Sequence, residues 1–310
     1  MRRQVEPFNS AAESFETWAR GEYASHPNSW KRISVSMTSA KVMFGRRPIH
    51  SITRGDVEDY KSLRRGAHKV REVTIRHDLH SLSLLFQYAM KHNWCQRNPV
   101  RDVAIPSDAD AQRCNVLSPE DEMKYFGAIE ALVAEKTANK RTKELRGLRD
   151  INDLSVLMLN QGCRPEELRE LGQGHVDLER GLLTIQRGKS AAARRVLPLT
   201  AASRDVLARR LQTTGVWVFQ SQKFPERHIG QAQRLWATVT QKAGLSMVMY
   251  DLRHTFATRA VERGVELPKL MAILGHSNLR SIMRYVHLKQ GHIMAILSNG
   301  ANRPLSEVRW

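Results

Sequence analysis

Three residues near the C-terminal end of the sequence have side chains that could act together on a phosphate. Arg253, His276 and Tyr285 lie in the stretch DLRHTFATRAVERGVELPKLMAILGHSNLRSIMRYVHL, residues 251–288. An arginine can hold a phosphate in a planar fork, a histidine can donate to a non-bridging oxygen, and a tyrosine can act as the nucleophile. Each residue taken alone is more often structural. Brought together, they predict attack by a phenolate on a phosphodiester.

The apolar pattern of this stretch predicts three short helices that bring these groups together. Apolar residues at helical spacing follow Arg253, and Pro268 suits the first turn of a second helix. A glycine ends the second helix and leaves His276 in a turn. Ser277 is the N-cap candidate of a third helix, which carries Tyr285.

A second arginine with a suitable setting lies upstream, in the segment GCRPEELREL. Pro165 suits the first helical position, which puts Arg164 at the helix start with its guanidinium pointing out of the helix. Glu167 lies on the same face and could hold this guanidinium in a bidentate ion pair. The pair is either a surface salt bridge or part of the phosphate site. Farther on, two strand-like runs flank a turn rich in Gly, Ser and Ala, so a hairpin should present Lys189 near its tip.

The charge balance of the 310 residues indicates a polyanionic partner. There are 49 Lys and Arg against 31 Asp and Glu, for a formal net charge of +18. Residues 1–110 carry 18 basic and 12 acidic side chains and the remainder carries 31 and 19, so both halves are basic. Two basic halves favour a clamp that contacts a polyanion from both sides over a single basic tether. Nucleic acid is the expected polyanion.

Other classes of protein are disfavoured by composition. The cysteines, Cys95, Cys114 and Cys163, are too few and too scattered for a disulfide framework or a CxxC metal site. The longest apolar runs fall far short of the roughly 20 residues that a membrane span needs, and the N-terminus lacks the apolar region of a signal peptide. We therefore expect a cytoplasmic protein that does not associate with a membrane.

The N-terminal part predicts four amphipathic helices. Thr53 is the cap candidate of the third helix, and the clearest helix runs from about Thr74 to His92. Between them lies KSLRRGAHKVRE, residues 61–72, which is either a solvated face or a set of phosphate contacts. The cations that could contact DNA, including one from the hairpin, are Lys61, Arg64, Arg65, Lys69, Arg71 and Arg187.

A polar segment without periodicity, AIPSDADAQRCN at residues 104–115, is the best linker candidate. Ser118 and Pro119 then predict the start of a helix, since they supply a cap and a first-turn proline. The basic segment 136–147 is interpreted as a connection. It leads to a helix that ends at Gly162.

Two motifs give the sequence a resemblance to a known family. LGHSNLRSIMRY, following YDLRHTFAT, resembles the tyrosine recombinase (phage integrase) family, and GCRPEELREL is similar to its first arginine motif. The resemblance implies a mainly α-helical fold with a small antiparallel β-sheet in the catalytic domain, arranged as a two-domain C-shaped DNA clamp. Little precedes residue 10, so no separate arm-binding domain is expected there. The implied ranges are a helical core-binding domain at 1–105, a linker at 106–116, the catalytic domain at 117–290 and a C-terminal helix or tail, possibly exchanged between subunits, at 291–310.

By the same resemblance, the implied reaction is site-specific DNA strand exchange. Tyr285 attacks the scissile phosphate, forms a 3′-phosphotyrosyl bond and releases a 5′ hydroxyl, which Lys189 protonates, with Arg187 as its rival. The arginines neutralise the transition state, so no metal, ATP or other cofactor is expected. Expected partners are a double-stranded DNA site, further copies of the chain in a synaptic tetramer, and accessory DNA-bending proteins as an option. The implied catalytic residues, with Glu167 in support, are Arg164, Lys189, Tyr250, Arg253, His276 and Tyr285.

Tyr250 is where the sequence departs from its family, which usually has a histidine three residues before the second arginine. A phenol, with an ordinary pKa of about 10, cannot accept a proton near neutrality as an imidazole can, although it can donate a hydrogen bond. His276 could serve as the general base instead. His254, beside Arg253, should point elsewhere on its helix and is expected to be structural.

Two other functions fit parts of the pattern. A type IB topoisomerase would share the chemistry but relax supercoils without synapsis. A catalytically silent DNA-binding protein would share the fold. Binding alone would not require Tyr285, so the presence of the arginines, the lysine and the tyrosine together argues against the silent protein.

Overall fold

The chain forms two compact units, residues 1–113 and 114–310, in its computed structural model. The predicted linker lies partly outside the residues that the structure describes, and the predicted tail at 291–310 lies wholly outside them. In the described part of the chain, no helix has the length and apolar character needed to cross a membrane. The described residues are 5–107, 115–186, 191–212, 215–283 and 285.

The first unit is built from four helices whose apolar faces form its core. They are α1 Phe8–Glu22, α2 Pro27–Phe44, α3 Arg54–Gly66 and α4 Glu72–Lys91. The apolar stripe predicted for α4 is buried, including Ile75, Leu79 and Phe86, because residues three and four apart share one face of a helix. The predicted cap of α3 is confirmed: Thr53 and Asp56 form a reciprocal capping box.

The second unit combines helices with a small sheet, which confirms the predicted mainly α-helical fold with a small antiparallel sheet. Its sheet is antiparallel with the order β1-β2-β3, and the predicted hairpin is β2 paired with β3. The strands are β1 Val176–Asp177, β2 Leu182–Ile185 and β3 Arg195–Pro198. The helices of its described part are α5 Pro119–Ala138, α6 Thr142–Gln161, α7 Pro165–Arg169, α8 Ala201–Arg210, α9 Gln233–Ala243, α10 Tyr250–Glu262, α11 Leu267–Leu274 and α12 Arg280–Met283.

Helix α10 joins the two apolar clusters of the second unit. The larger cluster surrounds α6, which packs against α5, α8 and α10, and it includes Leu252 of α10. The smaller cluster gathers Ala257 of α10, Leu270 and Leu274 of α11, and Tyr285. One face of α10 is therefore fixed to the main core, and another to the segment that carries Tyr285.

Two sequence predictions of the fold are wrong. The third helix of the C-terminal segment, α12, begins at Arg280 and ends at Met283, so it does not carry Tyr285, which lies in a turn beyond it.

The other error concerns a basic segment. Residues 136–147, interpreted as a connection, belong mostly to helices, because α5 continues to Ala138 and α6 begins at Thr142. Lys, Glu, Leu and Arg are strong helix formers, so a high content of charged residues does not indicate a loop. Lys136 makes ion pairs with Glu135 at 2.8 Å, within α5, and with Glu144 of α6 at 3.4 Å. The second pair joins the two helix ends.

Gly162 ends α6 where a side chain has no room. Its φ of +63° lies in the left-handed region, which favours glycine at helix ends. A Cβ at this position would lie 2.4 Å from a ring carbon of Phe256 and 2.9 Å from Leu274. The Gly162 carbonyl also accepts a hydrogen bond of 2.7 Å from the Arg253 guanidinium. The end of α6 is thus packed directly against α10 and α11.

We expect Gly162→Ala to lower the free energy of unfolding by about 2–5 kcal/mol, since a left-handed conformation costs about 1–2 and overpacking about 1–3. Gly244→Ala is the matched control. Gly244 ends α9 with a φ of +69°, but nothing lies within 4 Å of an added Cβ. It should lose only the conformational cost. Equal losses in denaturant titrations would contradict the packing at Gly162.

Candidate active site

The guanidinium of Arg253 is the most enclosed charge of the site. Its side chain is 0% exposed. Nη1 donates to the carbonyl of Gly162 at 2.7 Å, and Nη2 donates to the carbonyl of Leu274 at 2.6 Å. Burial lowers the pKa of Arg253, but an arginine remains protonated in proteins. These main-chain acceptors offset the cost of burying the charge and fix the orientation of the guanidinium.

His276 lies in the turn after α11 and is oriented by Arg253. Its Nε2 is 2.9 Å from Nη2 of Arg253. A guanidinium has donors but no acceptor, so Nε2 must accept this hydrogen bond. In the neutral imidazole the proton is therefore on Nδ1. The contact between Arg253 and His276 makes Nδ1 a hydrogen-bond donor, which suits a phosphate oxygen better than it suits a phenol's proton.

Arg164 caps α7 as predicted, and Glu167 holds it. The Glu167 carboxylate accepts from the main-chain nitrogen of Arg164 at 2.8 Å and from its Nη1 at 2.6 Å. Nη2 of Arg164 donates to the carbonyl of Gly275 at 3.3 Å, beside His276. The predicted ion pair is present, although one of its two hydrogen bonds comes from the main chain. Arg164 is only partly buried, so it remains accessible to an anion.

Tyr250 lies near both arginines. Burial works against the charge on Arg164, whereas the Glu167 carboxylate and the nearby Tyr250 hydroxyl raise the pKa of that guanidinium. The Tyr250 ring lies 5.9 Å from the Arg253 Cζ. The tyrosine that departs from the family pattern therefore belongs to the site.

Arg195 is a member of the site that the sequence reasoning missed. It lies at the start of β3 and makes two hydrogen bonds to Glu167, of 2.9 and 3.2 Å. Its Nε donates to the carbonyl of Ile273 at 2.6 Å. Burial alone would raise the pKa of Glu167, but the hydrogen bonds from Arg195 and the neighbouring charges hold it below its ordinary value. One feature of the sequence could have revealed Arg195: it is a charged residue that lies on the same face of its strand as the buried Leu197.

Tyr285 is hydrogen-bonded to a residue that was expected to be structural. Its hydroxyl lies 2.9 Å from Nδ1 of His254. The two side chains are 2% and 4% exposed, and their ring centroids are 5.5 Å apart. His254 does point away from the Arg253 contacts, as neighbouring residues on a helix must, but it points at the candidate nucleophile. His254 therefore contacts the candidate nucleophile, and its expected structural role stays a prediction.

The other predicted site residues belong to the hairpin segment or to the basic run of the first unit. Lys189 and Arg187 lie outside the described residues, so their predicted place in the hairpin stays a prediction. In the first unit, Lys61 pairs with Glu58 at 2.9 Å. The exposed members of the basic run include Lys69 and Arg71. Two further cations of the basic run also form ion pairs: Arg64 with Asp78 at 2.8 Å, and Arg65 with Glu72 at 2.6 Å.

The arrangement is suited to binding an anion. In the described contact network, the charges of Arg164, Arg195 and Arg253 are balanced by one carboxylate, Glu167, so positive charge is in excess. The described residues contain no cluster of three or more His, Cys, Asp or Glu side chains that could hold a metal ion. A phosphate at the rim would meet the Arg164 guanidinium and hydrogen-bond donors, which can stabilise charge that develops on its oxygens.

Comparisons with known proteins identify one matching family. The model of the phage integrase family matches residues 128–292. The tyrosine recombinase XerA of Thermococcus kodakarensis is 29% identical over 144 residues, which cover 44% of this chain and 51% of that protein. The chain spans about half the length of the XerA relatives that it matches first.

Two solved structures have a similar fold. The integrase of the transposon Tn1549, in complex with transposon right end DNA, superposes with a TM-score of 0.72 at 18% identity and covers 94% of this chain and 99% of that one. A lambda integrase tetramer bound to a Holliday junction superposes with a TM-score of 0.69 at 14% identity, covering 88% and 78%. At these identities the likeness concerns the fold alone.

We expect Arg195→Gln to lower the free energy of unfolding by roughly 3–5 kcal/mol, because it removes one partner of a buried ion pair. Arg194→Gln, at the exposed neighbouring position, is the matched control and should stay within about 0.5 kcal/mol of the unsubstituted protein. Chemical denaturation of the two variants checks this. An equally small effect of both substitutions would show that Arg195 does not hold the site together.

Proposed function

Because this chain belongs to the phage integrase family, we propose that it is a site-specific DNA recombinase that cleaves and rejoins strands through a 3′-phosphotyrosyl intermediate. The observation that carries the proposal is the contact between residues far apart in sequence. Arg164 reaches the carbonyl of Gly275, and Arg253 contacts His276 at 2.9 Å. Both arginine motifs thus meet at the turn that leads to Tyr285.

In the proposed cleavage step, the phenolic oxygen of Tyr285 attacks the scissile phosphorus and the bond to the 5′ oxygen breaks. Arg164 and Nδ1–H of His276 donate to the non-bridging oxygens. Arg253 acts through His276: its hydrogen bond to Nε2 keeps the proton of the histidine on Nδ1. Lys189 protonates the leaving 5′ oxygen. Since the phosphotyrosyl ester conserves the bond energy, the 5′ hydroxyl of the partner strand can reverse the step without ATP.

Tyr250 has a defined place in this proposal. Its hydroxyl raises the pKa of the Arg164 guanidinium, and its ring lies 5.9 Å from the Arg253 Cζ, so it supports both cations. A donor at this position can contact a phosphate oxygen without accepting a proton. This explains how the site tolerates a tyrosine where the family usually has histidine.

The proposed partners are double-stranded DNA and further copies of the chain. The formal net charge of +18 favours a polyanion. Recombination cuts both strands of two duplexes, which requires four nucleophiles, and one Tyr285 from each of four chains would supply them. The tetramer of lambda integrase on a Holliday junction is the corresponding assembly in a protein of similar fold. We also propose the first unit as the core-site binding domain, with accessory DNA-bending proteins as an optional addition.

Replacing Tyr285 with Phe removes the attacking oxygen and little else. We expect the variant to bind a recombination-site duplex but to form no covalent adduct with a nicked suicide substrate. Tyr125→Phe is the matched control, since Tyr125 is also buried and hydrogen-bonded, to Ser155 at 2.8 Å, in the same unit. The control should retain adduct formation. An adduct on the Tyr285→Phe protein in denaturing gels would show that another residue is the nucleophile.

The role of the hairpin can be separated from phosphate binding. Arg164→Ala should slow cleavage by about 10²–10³, since it removes a donor to the developing charge. Lys189→Ala should be rescued by a substrate with a 5′-phosphorothiolate bridge, whose sulfur leaves without protonation, whereas Arg164→Ala should not.

Arg187→Ala is the control for the rival cation of the hairpin and should need no rescue. Single-turnover cleavage rates on the two substrates give the comparison. Rescue of Arg187→Ala in place of Lys189→Ala would reassign the acid, and equal rescue of Arg164→Ala and Lys189→Ala would refute the division of roles.

A further inference from the structure

The contact between His254 and Tyr285 assigns a role that the family resemblance left open. We propose that His254 is a catalytic residue: it accepts the proton of the Tyr285 hydroxyl when the phosphotyrosyl bond forms and returns it when the bond is broken. This inference rests on the proposed recombinase function and names the proton acceptor of the same site. Its direct observation is the 2.9 Å separation between the Tyr285 hydroxyl and Nδ1 of His254.

The position of His254 on α10 explains how it reaches the nucleophile. Successive residues of a helix point about 100° apart. Arg253 therefore faces the turn with His276, while His254 faces the segment with Tyr285. The edge of the His254 ring also packs against Tyr250, with centroids 5.1 Å apart. Helix α10 thus supplies a phosphate-side cation and a contact to the nucleophile from adjacent residues.

The hydrogen bonds of the site favour His254 over His276 as the acceptor. The Nε2 lone pair of His276 already accepts from Arg253, and a neutral His276 is then a donor at Nδ1. Glu167 is occupied by Arg195 and by Arg164. Nδ1 of His254, in contrast, lies within hydrogen-bond distance of the reacting oxygen itself, which is the first geometric requirement for a general base.

The proposed step balances in both directions. In cleavage, the proton of Tyr285 moves to Nδ1 of His254 as the phenolic oxygen bonds to phosphorus, and the 5′ oxygen leaves with a proton from Lys189. In rejoining, an incoming 5′ hydroxyl gives its proton to Lys189 and attacks phosphorus. The phenolic oxygen of Tyr285 then leaves and recovers its proton from His254. Both side chains return to their starting protonation states.

Two substitutions separate proton transfer from hydrogen bonding. His254→Asn places an amide oxygen near the position of Nδ1, so it keeps an acceptor for the Tyr285 hydroxyl but cannot take its proton. His254→Phe keeps an aromatic ring against Tyr250 and Tyr285 without an acceptor. We expect both variants to bind DNA normally and to lose about 10²–10⁴-fold in the single-turnover rate of suicide-substrate cleavage, the usual range for a general base.

A more acidic nucleophile should relieve the need for this base. Replacing Tyr285 by a ring-fluorinated tyrosine, whose phenol loses its proton more readily, should restore most of the lost rate in His254→Asn. A 5′-phosphorothiolate substrate should not restore it. Lys189→Ala should show the reverse pattern, with rescue by the sulfur leaving group and none by fluorotyrosine. A purely structural role for His254 would not produce this crossed pattern.

The outcomes distinguish the inference from the proposed function. If the unsubstituted protein forms no adduct with the cognate substrate, the recombinase proposal itself fails. If the protein forms the adduct and both His254 variants cleave at its rate or faster, His254 is not the proton acceptor and the inference is overturned. Rescue of His254→Asn by phosphorothiolate, or none by fluorotyrosine, would overturn it equally.

Discussion

The structure of the site depends on one buried carboxylate, that of Glu167. It lies 2.6 Å from a guanidinium nitrogen of Arg164, 2.9 Å from one of Arg195 and 3.9 Å from one of Arg253. Unit charges about 4 Å apart interact by roughly 4 kcal/mol at an effective dielectric constant near 20, so three arginines could not share this space without an anion. Desolvation offsets much of the attraction in a buried ion pair. The main effect of Glu167 is therefore to fix the positions of the three guanidinium groups rather than to add stability.

The position of Glu167 links elements that are far apart in the sequence. Glu167 belongs to α7, Arg195 to β3 and Arg253 to α10, and Arg195 also binds the carbonyl of Ile273 at 2.6 Å. The hairpin, the first arginine and the turn with His276 are therefore fixed relative to one another. The fixed network still has more positive than negative charge, which leaves it ready to bind a phosphate.

A second hydrogen-bonded pair, His254 with Tyr285, lies on a neighbouring face of α10. Adjacent residues of one helix thus contact a group proposed to act on phosphate oxygens, His276, and the proposed nucleophile, Tyr285. Since Leu252 belongs to the main core and Ala257 to the smaller cluster, packing holds both sides of the helix. A shift of α10 would therefore disturb both halves of the proposed reaction together.

The sequence predicted those features that depend on local chemistry. The Thr53 cap, the proline start of α7 and the contact between Arg164 and Glu167 all involve residues three positions apart or fewer. The features it missed depend on tertiary contacts. Arg195 meets Glu167 across 28 positions and His254 meets Tyr285 across 31, and no local pattern reports such pairs. The false connection at 136–147 arose because charge was given more weight than helix propensity.

The central claim is that Tyr285 forms a covalent 3′-phosphotyrosyl bond with DNA. The most direct test is mass spectrometry of the protein trapped on a suicide substrate, after nuclease and protease digestion, together with end analysis of the released strand. The account predicts a nucleotide attached to the peptide that contains Tyr285, through its 3′ phosphate, and a free 5′ hydroxyl on the other fragment. Attachment to another residue, linkage through a 5′ phosphate, or cleavage without any adduct would contradict it.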